Sequence, residues 1–267
     1  MTTATAMALV DTFAAASGAG VWPGLSRATL AAELKARLAA PDTVDQAQTP
    51  LCGPASFTRA LMIDKPDTYA QAAIDLFNTG AATIGTMKIK PFDEVRLSAP
   101  QYDTNQADWI MLASIRDSGN WLMSSGGWFG GSAAGMTLPG TLADWFTSAG
   151  FSTVINSADV LQTVPAARTM QLLTANLYRA AGHHVLLLID GDVMKMSNQD
   201  DEISLYPTHW VTLTASVSDS GALAYSDPIS MEVFSWGDIY TIPVSTAKPL
   251  KKKYFLNKFY GFIAVKK

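Results

Sequence analysis

The sequence predicts an α+β protein, in which helices come first, one of them carrying the single cysteine, and an antiparallel sheet follows. Three observations carry this expectation. Apolar residues recur at helical spacing through much of residues 1–182, short segments alternate with period two from residue 183 onward, and Gly, Pro, Asp and Ser separate those later segments. A chain of 267 residues with 48% apolar content can bury a sizeable core. We read it as one domain with an N-terminal helical extension (1–43), a cysteine helix (44–64), a helical insertion (65–182) and the sheet (183–267).

Thr5–Ala16 is expected as a short helix. Ser26–Ala40 follows, with Ser26 as its cap and leucines 30, 34 and 38 on one face. Pro54–Asp64 forms a third helix and Asp67–Asn78 a fourth, with Asp67 as cap and Gly80 just past its end. Thr104–Asp117 and Pro139–Ala149 complete the helices. Between them, Gly119–Gly135 holds five further glycines around Trp121, Trp128 and Phe129. It lacks the Gly-Lys-Ser/Thr ending of a phosphate loop and reads as a flap or surface loop. His183–Asp190, His209–Val217, Leu223–Asp227, Glu232–Trp236, Ile239–Val244 and Phe259–Lys266 are the expected strands, and Asp190–Pro207 an exposed connection.

Only 16% of residues are charged and the net charge is −4, so no strong field draws the chain to nucleic acid or an acidic membrane. The positive charge is concentrated: residues 248–267 hold seven lysines and no acid. Such a run keeps a terminal hairpin soluble and guards its edge, with contact to an acidic partner as the alternative. One cysteine cannot form an intramolecular disulfide. The N-terminus has no basic residue before Arg27 and Asp11 interrupts its apolar stretch, so no secretory signal is expected, and no apolar run is long enough to span a bilayer. The expectation is a soluble protein made in the cytoplasm, with export by a signal-independent machine compatible with the same sequence.

The lone thiol therefore calls for another explanation. Pro54 suits the first turn of a helix, which puts Cys52 at the positive helix end, where a thiolate is favoured. The alternative is a small buried hydrophobe. His209 opens a strand whose face continues through Val211, Leu213 and Ala215, with Trp210 and Thr212 opposite. A hairpin turn centred on Ser218 would set Val211 against Tyr225 and His209 against Asp227, supplying the base and the carboxylate that orients it. His183 and His184 precede an apolar strand and read as structural. No spacing supports a metal site, and no cofactor is expected. Gln46 and Gln48 both lie close enough before Cys52 to offer an amide to an oxyanion. Gly53, Trp210 and Trp128 are the candidates for contacting substrate.

Gln46, the run Cys52-Gly-Pro-Ala-Ser, His209-Trp-Val and Tyr225-Ser-Asp227-Pro together resemble the papain-like cysteine peptidases, and most closely the bacterial branch with the double-glycine leader peptidases. The resemblance covers residues 44–64 and 205–265. It implies a papain-like fold, with Cys52 as nucleophile, His209 as general base and acid, Asp227 as its orienting residue and Gln46 in the oxyanion hole. It also implies a protein or peptide substrate cleaved through a thioester. The interval from Cys52 to His209 is longer than in compact members, and no transporter segment follows. A free-standing chain of this kind looks more like a papain-like toxin or effector used between bacteria, which implies a cognate inhibitor or immunity protein as partner. A cell-wall amidase, a transamidase or deamidase, and a catalytically silent binding module are the alternatives.

Overall fold

The computed structural model of the protein describes residues 2–119, 136–161, 164–195, 204–219, 227–242 and 249–267. Side-chain caps start the first two helices. Thr2 accepts the Thr5 N–H at 3.3 Å ahead of α1 (Thr3–Ala15), and Ser26 accepts the Thr29 N–H at 3.4 Å ahead of α2 (Arg27–Ala39). Then come α3 (Cys52–Asp64) and α4 (Pro66–Thr79). Asp67 lies inside the first turn of α4 rather than capping it, because Pro66 is already helical, whereas Gly80 ends the helix in the left-handed region at φ 78°. Residues Cys52 through Met62 of α3 are all buried, so this helix is surrounded by its neighbours.

The interval between α4 and the sheet is not purely helical. A hairpin of β1 (Ala82–Ile84) and β2 (Met87–Ile89) precedes α5 (Asp93–Arg96), α6 (Gln106–Gly119) and α7 (Pro139–Ser148), and then β3 (Thr153–Asn156) and α8 (Pro165–Ala180) follow. β3 pairs along β10, so part of the expected insertion belongs to the main sheet. The segment 120–135, with Trp121, Trp128 and most of the glycines, lies outside the described residues, as do 223–226 of the expected strand Leu223–Asp227.

The sheet is antiparallel. Its strands are β3, β4 (His184–Ile189), β5 (His209–Leu213), β6 (Ser218–Asp219), β7 (Pro228–Ser235), β8 (Asp238–Ile242), β9 (Leu250–Lys251) and β10 (Phe259–Lys266), with the short α9 (Asp192–Lys195) after β4 and α10 (Lys252–Asn257) before β10. They run β3-β10-β4-β5-β7-β6, and β8 and β9 pair with the other side of β7. Leu186, Leu188, Trp210, Phe234 and Ile263 pack toward α3, α6 and α7. Val185, Leu187, Val211, Leu213 and Val233 pack into a second core with α8 and α10. Helices on both faces explain why β4 is buried from Val185 to Ile189.

Of the described C-terminal lysines, Lys251, Lys253, Lys266 and Lys267 are exposed, as a solvated run requires, but two are not. Lys252 and Lys258 are buried, and Lys258 Nζ lies 3.5 Å from Asp190 Oδ2. The terminal element is a helix followed by a strand rather than a hairpin, and Lys248 lies outside the described residues. No described helix is long and apolar enough to cross a membrane.

Candidate active site

Cys52 is the first residue of α3, and Leu51 before it supplies no side-chain cap. The first backbone N–H groups of a helix have no partner within it. Here those of Cys52 and Gly53 lower the pKa of the Cys52 thiol, Pro54 has none, and the next, Ala55, donates to Leu51 at 2.9 Å. A third donor comes from β5. Thr212 pairs with Phe234 and the Thr214 N–H reaches Glu232 at 2.9 Å, so alternate residues of β5 donate toward β7. Trp210 continues that row, but β7 ends at Ser235 and turns, and the Trp210 N–H instead lowers the pKa of the Cys52 thiol.

His209 begins β5 opposite Ile189. Its Nε2 lies 2.7 Å from Ser235 Oγ, and its ring stacks on Trp236 with centroids 4.4 Å apart and planes 13° apart. In the tautomer with the proton on Nε2, Ser235 accepts it and Nδ1 keeps its lone pair. Ser235 and Asp238 pair across the two-residue turn Trp236-Gly237, whose φ values are 44° and 71°. Gly237 takes such a conformation freely, but an aromatic residue is strained in it, and that strain carries the indole under the imidazole. A Cβ on Gly237 would come 3.0 Å from Asp45 Cβ, so the same turn packs on the loop that holds Gln46.

That loop is braced from α6. Asp108 accepts the Asp45 N–H at 2.9 Å and a forked pair from Arg37, with Nε at 3.0 and 3.1 Å and Nη2 at 2.6 Å. Burial pushes the Asp108 carboxyl up to about 6 against the downward pull of Arg37, and although burial also draws the Arg37 guanidinium down, the Asp108 bond and charge raise it overall. Gln46 is buried, with Nε2 donating to the Thr49 carbonyl at 3.2 Å, whereas Gln48 is exposed. Of the two amides, only Gln46 is held in place.

The chemistry expected of the thiol is corrected by its surroundings. Cys52 is 3% exposed, and burial pushes its pKa up, outweighing the Trp210 and Gly53 N–H groups and the nearby Arg116 guanidinium. Burial alone pulls His209 down to about 4. Burial favours a neutral thiol at Cys52 and, separately, a neutral imidazole at His209, not the thiolate expected from the helix end. His209 in the fold is thus harder to protonate than the ordinary imidazole near 6.5. Its contribution to stability is full above pH 6.5 and is lost as pH falls through about 4, on the order of 3 kcal/mol. Urea unfolding of the wild type and of His209→Gln from pH 7 to pH 4 is expected to show the steeper loss in the wild type; parallel losses would exclude a buried neutral His209.

Asp227 is not brought to His209. The Ser218 turn fails because β5 pairs with β4 on one side and with the far end of β7 on the other. Asp227 precedes β7, eight residues before Ser235, which is about 26 Å of extended chain. Its carbonyl accepts the Lys252 N–H at 3.0 Å. The place opposite the imidazole belongs to Ser235, a hydroxyl without charge, and this is why nothing offsets the burial of His209. His184 Nε2 meets Asp64 at 3.1 Å and His183 Nδ1 meets the Tyr178 carbonyl at 3.1 Å, partners that tie both rings into the fold.

The residues expected to touch substrate are internal. Trp210 is buried and donates from Nε1 to the Thr137 carbonyl at 2.8 Å, and a Cβ on Gly53 would stand 2.5 Å from Thr137 Oγ1. Trp128 lies outside the described residues. A cavity of about 580 Å³ opens instead on His209 and Trp236, with Asp190, Tyr206, Thr208 and Lys258 in its wall. Ser235, Trp236 and Arg116 carry no motif that marks them in the sequence. The one local sign is the Trp-Gly pair after an alternating strand, a turn whose place beside His209 depends on pairing over more than twenty residues. No family model matches the chain, and no curated protein was found to match it.

Proposed function

We propose that the protein is a papain-like cysteine hydrolase acting on peptide bonds, with Cys52 as nucleophile, His209 as base and acid, and Ser235, rather than Asp227, in the orienting position. The carrying observation is convergence at one end of β5: the Trp210 N–H lowers the pKa of the Cys52 thiol, while the preceding residue, His209, is fixed through Nε2 by Ser235 and stacked on Trp236. Because burial favours the neutral form of each group, the proton leaves Sγ for Nδ1 as sulfur attacks the carbonyl carbon. The tetrahedral oxyanion collapses to a thioester as imidazolium protonates the leaving amine. His209 then takes a proton from water, whose oxygen attacks the thioester and releases the acid and the thiol. Gln46 is the amide proposed for the oxyanion, and the cavity beside His209 has room for a substrate side chain.

A proteome treated with the protein, read by mass spectrometry for new chain termini, tests the reading. New termini that depend on His209 support a peptidase. Fragments released only from peptidoglycan would move the assignment to an amidase, and ammonia release or amine incorporation at glutamine to a deamidase or transamidase. A second reading, a catalytically silent module, is favoured by the burial of both groups in their neutral forms; absence of all these products would favour it.

Ser235→Asp supplies the charge that the site lacks. It is expected to raise the His209 pKa by about 1–3 units and to speed iodoacetamide labelling of Cys52 at pH 7. An unchanged labelling rate, with the fold intact, would remove Ser235 from the site.

A further inference from the structure

The outer face of α8 is apolar and its charges are turned inward, the reverse of a solvated helix. Arg168 and Arg179 are the only charged residues of this helix. Arg168 donates to the Leu256 carbonyl and Arg179 to the Thr214 carbonyl, both toward the protein. Leu172 and Ala175 fill the second core on that side. On the opposite side Met170 is 62% exposed, Leu173 40% and Leu177 71%, with Ala166 and Ala180 exposed at either end.

These five residues are spaced by four, three, four and three, the repeat that seats one helix against another. Thr169, Thr174 and Asn176 flank the seam, and none is charged. The order of sizes reads the same in both directions: small, large, large, large, small. Run antiparallel to its own copy about a two-fold axis, the seam sets Ala166 beside Ala180, Met170 beside Leu177, and Leu173 beside Leu173, so small residues meet small and long ones interleave. No like charges oppose one another in this pairing. A membrane surface is a poorer occupant, since the helix presents no Lys or Arg beside its apolar face.

We propose that α8 is a homodimer interface, in which two copies of this chain pair antiparallel through Ala166, Met170, Leu173, Leu177 and Ala180. One helix face is small beside the roughly 1,200 Å² of a stable interface, so a reversible, concentration-dependent dimer is expected, insensitive to salt because no charges meet.

Sedimentation velocity of the full chain from micromolar to submillimolar concentration should show the average mass rising toward twice that of the monomer. The double substitution Leu173→Glu with Leu177→Glu should abolish the rise while circular dichroism stays unchanged, since both sites are exposed. Leu173→Cys should cross-link two copies under mild oxidation, and Leu161→Cys, off the seam, should not. A monomer at every concentration would overturn the proposal, as would a dimer that survives the double substitution or that Leu173→Cys fails to cross-link.

Discussion

Replacing Cys52 by alanine is expected to abolish turnover, by about 10⁴-fold or more, while leaving the fold intact. Without sulfur no thioester can form, and an oxyanion donor or a bound substrate cannot substitute for the missing nucleophile. The fold should persist because the thiol is a small member of a large core. Its loss costs about 1 kcal/mol, little beside the 5–15 kcal/mol that keep a typical domain folded. The comparison is termini produced per unit time by wild type and variant, with thermal unfolding as the control for structure. Full activity in Cys52→Ala would sink the hydrolase.

The largest effect on stability is expected from Arg37→Met. Asp108 is 1% exposed and Arg37 holds it with a forked pair, so removing the guanidinium strands a carboxylate in the core, at a cost of about 3–5 kcal/mol. The deficit depends on pH with a definite sign. Burial already raises Asp108 to about 6 with Arg37 present, and without it the carboxyl rises further. The folded variant then binds a proton that the unfolded chain, near 3.9, has released, so acidification from pH 8 to pH 5 should recover part of the loss. Urea midpoints at the two pH values measure it. Equal deficits at both would show that Asp108 carries no buried charge. Turnover should fall as well, because the same carboxylate holds the Asp45 N–H and with it the Gln46 loop.

Elements specified by nearby residues are legible in the sequence. Phe259–Lys266 is a strand to the residue, Ser26 caps its helix, Gly80 ends another, and the opposition of Trp210 to Val211 and Leu213 follows from strand alternation alone. Coarsely the protein is α+β with an antiparallel sheet, as its periodicities imply. The elements that sequence patterns miss are short or atypical. β1, β2 and β3 are three or four residues long, below the length at which alternation can be recognised, and α8 presents two apolar stripes at once, one for the core and one for its exterior.

That Cys52 starts a helix and His209 a strand is legible locally, because a proline two residues on and an alternating apolar run act within a few bonds. What those residues face is set by contacts far apart in the chain. Strand pairing is a long-range choice made by whole faces seeking burial, and it put β7 rather than a local hairpin beside β5, giving His209 a serine and an indole in place of Asp227. Protonation was decided the same way. A helix N-terminus favours a thiolate wherever water can reach it, but the packing that closes over Cys52 removes the water, and desolvation outweighs the dipole.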